Sequence, residues 1–211
     1  KRQKVKLKKI IFFGPPGAGK GTQAKIISKI LNISHLSTGD ILRKKLLDND
    51  DLSKQLQSIM SSGNLVSDDI LNSIVSTRLK NETESGFILD GYPRTLTQLE
   101  YLNNFLSVTS TSLSYIFNIK INFETLKNRI LKRSSEEGRE DDNLTVIETR
   151  YNEYLNSTQK VSNFYKENYS SIFYEIDGSQ QIQEITKKIQ DILKKSWKTA
   201  NFSYIFPWLI A

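Results

Sequence analysis

The sequence predicts an α/β fold built on a parallel five-stranded sheet flanked by helices. Three observations carry this. Short apolar runs alternate with longer segments of helical spacing, the first apolar run ends in a glycine-rich turn, and neither an internal repeat nor a low-complexity linker interrupts the order. Strands alternating with helices imply βαβ units, and those place helices on both faces of a parallel sheet.

The elements follow in order. Lys8 to Phe13 is an apolar run that meets a Gly/Pro cluster, the pattern of a buried strand. Ala24, Ile27 and Leu31 give Thr22 to Leu31 a helical spacing. Ser34 to Ser37 is a weak second strand, and Thr38-Gly39-Asp40 opens a helix with Asp40 as its expected cap. Helical patterns continue through Leu42 to Leu47 and Leu52 to Met60, Gly63 interrupts them, and Ser67-Asp68-Asp69 starts a helix to about Lys80. Gly86 to Asp90 and Ser114 to Ile119 are the third and fourth strands. Phe123 to Arg133 is helical, Ser134 to Asp142 a polar loop, and Leu144 to Asn168 a long helix. Ser171 to Ile176 is the fifth strand and Ile182 to Lys195 the closing helix.

Composition bounds the chemistry. The 211 residues, 37% hydrophobic and 25% charged, suit one globular domain large enough to bury a core unaided. Cysteine is absent, which excludes disulfides, a thiolate nucleophile and Cys-based zinc sites. The formal charge of +7 fits either nucleic acid or the steering of polyphosphate substrates. Much of the excess lies in Lys1 to Lys9 and in Lys187, Lys188, Lys194, Lys195 and Lys198, where a solvated surface is the plainer reading. Clusters interleaved with aromatics, as single-strand binding would need, occur only in the terminal Trp197 to Trp208 stretch, so nucleic acid is not expected as a partner. No apolar run approaches the ~20 residues that span a bilayer, and the aromatic end Phe202 to Ala211 is expected to pack on the core.

The glycine-rich turn is Gly14-Pro15-Pro16-Gly17-Ala18-Gly19-Lys20-Gly21-Thr22. A strand running through glycines into a helix presents backbone N–H groups and a helix N-terminus to an anion. Lys20 can reach the β- and γ-phosphates of a nucleotide. Gly14 to Lys20 fits G-x-x-x-x-G-K, which makes the fold class P-loop NTPase-like. The next residue is Gly21 where the generic pattern has Ser or Thr, which favours a Mg²⁺ held mainly by phosphates and water.

With Gln23 added, this loop resembles that of the adenylate kinases and their uridylate/cytidylate relatives, in which glycine also follows the lysine. Three later segments resemble the same family in order: Leu36 to Arg43, Gly63 to Asp68, and Gly86 to Gln98. The resemblance covers about Lys8 to Leu193. It implies one P-loop kinase domain over 1–211 with a helical monophosphate-binding excursion at 37–66 and a short lid at 133–143. The donor nucleotide is then expected on Gly17, Ala18, Gly19, Lys20, Gly21, Thr22, Arg129, Arg133 and the backbone of Gln180. The acceptor AMP is expected on Thr38, Gly39, Arg43, Asn64, Leu65, Val66, Gly91, Tyr92, Pro93, Arg94 and Gln98, with Arg139 and Arg150 reaching both phosphates.

The residue chemistry agrees independently. A monophosphate carries about two negative charges, for which Arg43 and Arg94 make a fork. Asp90 ends an apolar strand, where an unpaired carboxylate would be costly, and a hydrated Mg²⁺ nearby would account for it. Gln98 offers both a donor and an acceptor to adenine's edge. The uridylate/cytidylate relatives typically carry Asn where Thr95 and Gln98 stand, so the segment tilts towards AMP. Arg129 and Arg133 share a helix face ahead of a polar loop containing Arg139, Asp141 and Asp142, the design of a flap that excludes water.

The expectation is therefore a Cys-free, short-lid adenylate kinase without zinc. Lys20, Arg94, Arg133, Arg139 and Arg150 would be its catalytic residues and Asp90 its link to Mg²⁺. A uridylate/cytidylate kinase and a GTP:AMP phosphotransferase are the alternatives, since nothing in the loop names the donor base. His35, the sole histidine, is expected to be structural or solvent-facing. A cytoplasmic monomer is the default. The start at Lys1 leaves an organellar address open.

Overall fold

A computed structural model describes residues 8–82, 85–137 and 143–198, with side chains at all of these except 81, 133, 135–137 and 196–198. Five strands, β1 (Lys9–Phe13), β2 (Ser34–Ser37), β3 (Phe87–Asp90), β4 (Tyr115–Lys120) and β5 (Phe173–Asp177), form one sheet in the order β2-β3-β1-β4-β5. Every pairing is parallel. The chain thus winds one way from β1 to β3 and β2 and the other way to β4 and β5, and the loop after β1 sits where the order reverses. Ligands bind at such a switch point, beyond the carboxyl ends of the strands.

The strands read as continuous apolar runs because both faces are covered. Ile11, Phe13, Phe87, Leu89 and Ile116 face one core, with Leu71, Val75 and Leu79 of α4 (Asp68–Glu82), Leu99, Leu102 and Leu106 of α5 (Leu96–Val108), and Val161 and Tyr165 of α8 (Gln159–Asn168). Ile10, Phe12, Ile88, Phe117 and Ile119 face the other, with Ala24 and Ile27 of α1 (Lys20–Leu31) and Ile185, Ile189 and Leu193 of α9 (Ile182–Lys198). Each such Leu, Ile, Val or Phe side chain contributes about 1.5–3 kcal/mol by leaving water. A third cluster, Leu126, Ile130 and Ile147, joins α6 (Phe123–Glu137) to α7 (Leu144–Glu153) beyond the sheet. The Phe123 and Tyr151 rings, 4.7 Å apart, reinforce it.

Segment 37–66 contains α2 (Thr38–Lys45), a 3₁₀ turn at Leu46–Asp48 and α3 (Asp51–Ser61). Four details differ from the sequence expectations. Helix α5 fills a stretch with no expected element, capped by the Thr95 hydroxyl, which accepts from Gln98 N. Ser37, not Asp40, caps α2, accepting from Asp40 N. Asp40 lies inside the first turn, where its charge favours the helix dipole. Helix α6 runs on to Glu137 because Ser134 to Glu137 contains no breaker before Gly138. The 144–168 helix is divided by a π turn at Tyr154–Thr158. Arg139, the Asp141-Asp142 pair, the basic segment 1–7 and the aromatic end 199–211 lie outside the described residues.

Candidate active site

The carboxyl ends of β1, β2 and β3 open into a cleft of about 940 Å³. Its floor is the loop between β1 and α1. Gly19 is the N-cap of α1 with φ +93°, a left-handed conformation that disfavours a side chain, and no side chain caps the helix. The N-terminus of α1 therefore opens on the cleft as a setting for an anion, and no acidic residue stands in that turn. A Cβ on Gly19 would meet nothing within 4 Å, so the space above it is open. Lys20 Nζ donates to the Pro15 carbonyl at 2.8 Å, which bends the ammonium back over the loop. Gly17, Ala18, Gly21 and Thr22 complete this wall.

Asp90, 8% exposed, closes β3 beside the loop. A Cβ at Gly21 would lie 3.3 Å from Asp90 Oδ2. The same oxygen is 3.3 Å from His35 Nε2, so the lone histidine belongs to the cleft wall, which its sequence context did not indicate. No group of three or more His, Cys, Asp or Glu suited to a metal occurs among the described residues. A single hard carboxylate next to a phosphate cradle fits a hydrated divalent cation carried by phosphates, as Mg²⁺ is.

The opposite wall comes from the excursion and from the loop after β3. Thr38 Oγ1 donates to the Gly91 carbonyl at 2.9 Å, tying α2 to that loop. Gly39, Asn64, Leu65, Val66, Tyr92 and Pro93 line the cleft. Arg43 pairs with Asp40 at 2.6 Å on the rim. Arg94 Nε donates to the Gly91 carbonyl at 2.8 Å. Burial, then the nearby positive charge of Arg150 and more weakly of Arg43, draw the Arg94 guanidinium down to about 10, while Asp90 opposes the shift. Three arginines thus share one region, the electrostatic setting for a dianion.

Gln98 is placed differently from its neighbours. It has no exposed surface, and its amide accepts from Arg94 N at 2.7 Å and donates to Asp68 Oδ1 at 2.8 Å. It lies behind the cleft surface, and the Asp68 partnership was not legible from spacing alone.

On the third side, Arg129 donates to the carbonyls of Gly178, Ser179 and Gln180, at 2.6, 3.2 and 3.3 Å, binding α6 to the loop after β5. Arg150 on α7 reaches the cleft, whereas the Arg133 side chain and all of Arg139 lie outside the described residues. The excursion touches α7 here. Gly63, with φ +81°, packs so closely that a Cβ would lie 3.0 Å from Val146 Cγ1 and 3.1 Å from Arg150 Cγ.

A phosphate cradle with its lysine, facing a cluster of arginines across one cleft, defines a P-loop phosphotransferase with two anionic substrates. The family model described as adenylate kinase matches residues 12–170. The adenylate kinase of Prochlorococcus marinus is 40% identical over 185 residues, covering 88% of this chain and 98% of its own length. That of Chelativorans sp. is 37% identical over 195 residues, covering 89% and 100%. That of Bartonella tribocorum is 40% identical over 192 residues, covering 88% and 99%. The chain belongs to the adenylate kinase family. It is a nucleoside monophosphate kinase, and AMP phosphotransferase activity follows from that membership; the uridylate/cytidylate and GTP-dependent alternatives are not favoured. Among the described residues no helix is long and apolar enough to cross a membrane.

Proposed function

We propose that this chain moves the γ-phosphoryl group of ATP reversibly to AMP with Mg²⁺, giving two ADP, and that it acts as a monomer. The observation that carries this is the meeting of Lys20 with Arg94, Arg150 and Arg43 around one cleft of one chain. Gly17 to Thr22 hold the donor phosphates, and Arg129 with the Gln180 backbone borders the donor base. Arg43 and Arg94 hold the acceptor phosphate, Gly39 and Gly91 to Pro93 shape its loop, and Thr38, Asn64, Leu65 and Val66 form the base site, with the buried Gln98 supporting the loop from behind. In the transfer the bond from γ-phosphorus to the β–γ bridging oxygen breaks, and one to an AMP phosphate oxygen forms. The acceptor oxygen is already anionic, so positioning and charge stabilisation suffice without a general base. Lys20, Arg94 and Arg150 offset charge on the moving group, and the lid arginines Arg133 and Arg139 are assigned to the same task. When bound, Mg²⁺ would offset the negative charge of the phosphates, and Asp90 would hold it through water.

Initial rates over a matrix of ATP and GTP against AMP, GMP, CMP and UMP test the reading. AMP with ATP is expected to be fastest. Efficient CMP turnover without AMP turnover would sink it.

A further inference from the structure

We infer that Gln23 is a positioning residue that fixes the donor-base wall, the loop 178–181, at a set distance from the phosphate cradle; this rests on the donor site proposed above. Gln23 closes the glycine-rich motif, yet no step of the transfer uses it. It sits on the first turn of α1, its N–H donating to the Gly19 carbonyl at 3.0 Å, and is 1% exposed at the edge of the cleft. Its amide reaches across to α9. Gln23 Nε2 donates to the Ile182 carbonyl at 3.0 Å, and Thr186 Oγ1 donates to Gln23 Oε1 at 2.8 Å. A carbonyl can only accept, so the nitrogen end of the amide must face Ile182 and the oxygen end the hydroxyl. Thr186 Oγ1 also lies 2.8 Å from the Ile182 carbonyl, which closes a ring of three groups. Breaking this ring strands a buried amide, where unmade hydrogen bonds cost most, so the first turn of α9 is pinned to α1.

The pin matters because of what lies at each end. Helix α1 begins with Lys20 behind its N-cap Gly19, both in the cradle. Helix α9 begins at Ile182, and Gln180, Gln181 and Ile182 line the cleft at that start. A nucleotide's phosphates and base are joined covalently, so a cradle and a base wall serve one ligand well when the span between them is held. Arg129 holds the loop from the α6 side through three carbonyls, and Gly178 N donates to the Lys120 carbonyl at 2.7 Å, tying it to β4. Gln23 adds a tie from the cradle's own helix. The two helices stay together without the amide, because Ala24, Ile27, Ile185 and Ile189 share one apolar cluster. What the amide adds is register.

The test measures KM for ATP and for AMP, and inhibition by inorganic tripolyphosphate, in the parent chain, Gln23→Met, Thr186→Val and Thr186→Ser. Gln23→Met keeps the length of the side chain and removes both amide bonds. It should raise KM for ATP at least ~10-fold, because the base wall is displaced. KM for AMP and the tripolyphosphate inhibition constant should stay within about two-fold, because the cradle is intact. Thr186→Val should shift KM for ATP the same way, and Thr186→Ser, which keeps the hydroxyl, should hold the parent value. This pair decides the matter if Gln23→Met does not fold. KM for ATP unchanged in Gln23→Met and Thr186→Val would overturn the role of Gln23 alone. So would an equal weakening of tripolyphosphate, which would place the effect in the cradle. A parent chain that binds ATP no better than tripolyphosphate would overturn the donor-base reading together with it.

Discussion

Gly21 leaves Asp90 no room for a neighbour: a Cβ on residue 21 would sit 3.3 Å from Asp90 Oδ2, closer than ordinary van der Waals contact. The generic phosphate-loop pattern puts a metal-binding hydroxyl at this position. Here β3 instead brings a carboxylate to the spot from the neighbouring strand, paired with β1 in the register Phe12↔Asp90. The glycine after the lysine is what lets that carboxylate approach.

Gly21→Ala should therefore push Asp90 out of place with little loss of fold, since residue 21 is exposed on the first turn of α1. We expect kcat to fall between ~10- and ~100-fold, the scale on which small misplacements act, and the Mg²⁺ concentration giving half-maximal rate to rise. Mg²⁺ titrations of initial rate check it. A normal Mg²⁺ dependence in the variant would separate Gly21 from Asp90.

Lys20 gives a second expectation. Its ammonium is held 2.8 Å from the Pro15 carbonyl, within the loop proposed to cradle the donor phosphates. Lys20→Ala leaves that loop's glycines intact and removes the one cation built into it. Turnover should fall at least ~100-fold, a few kcal/mol of transition-state stabilisation. Steady-state kinetics with ATP and AMP measure this, and a variant of near-normal activity would remove Lys20 from the mechanism.

How much of this was legible beforehand differs by feature. The strands after β1 and the helices with strong apolar spacing were readable because their side chains commit them to the core, as Ile27 does in α1 and Ile189 in α9. Helix α5 carried a signal too, since Leu99, Leu102 and Leu106 recur at helical spacing behind the Thr95 cap. Other features had no local signal at all. The π turn at Tyr154–Thr158, the His35–Asp90 pair and the Asp68–Gln98 bond join or distort segments through tertiary packing, and only the fold brings them about.

Gly63 supplies a prediction about closure. Its φ of +81° and its approach to Val146 and Arg150 seat the end of the excursion against α7. Gly63→Ala adds both a strained backbone and a methyl group at 3.0–3.1 Å from these atoms. The excursion should stand off from α7 and so move the acceptor-base wall away from Arg150. Unfolding should move modestly, by about 1–3 kcal/mol, whereas KM for AMP should rise by at least ~10-fold. Thermal melts beside AMP kinetics distinguish the two effects; a drop in melting temperature with unchanged KM would make Gly63 a purely structural residue.

Arg94 carries the pH dependence. Burial and the charges of Arg150 and Arg43 lower its guanidinium to about 10, well below its ordinary value. It is a base whose folded value is depressed, so between about pH 10 and the group's ordinary value the unfolded chain binds the extra proton. By linkage, this group makes folding stability rise with pH across that window and contributes a constant penalty below it. AMP affinity should have the opposite sign, because in the proposed acceptor site the phosphate needs the cation. Affinity should be flat through neutral pH and fall as the pH passes about 10. Arg94→Met removes the charge and most of the penalty at neutral pH. We expect it to melt no lower than the parent while binding AMP at least ~100-fold more weakly, the cost of losing a charge-assisted clamp on a phosphate. Calorimetric titration with AMP and a thermal melt of the same sample measure both. A variant that melts well below the parent would mean that the guanidinium's bond to the Gly91 carbonyl outweighs its charge penalty.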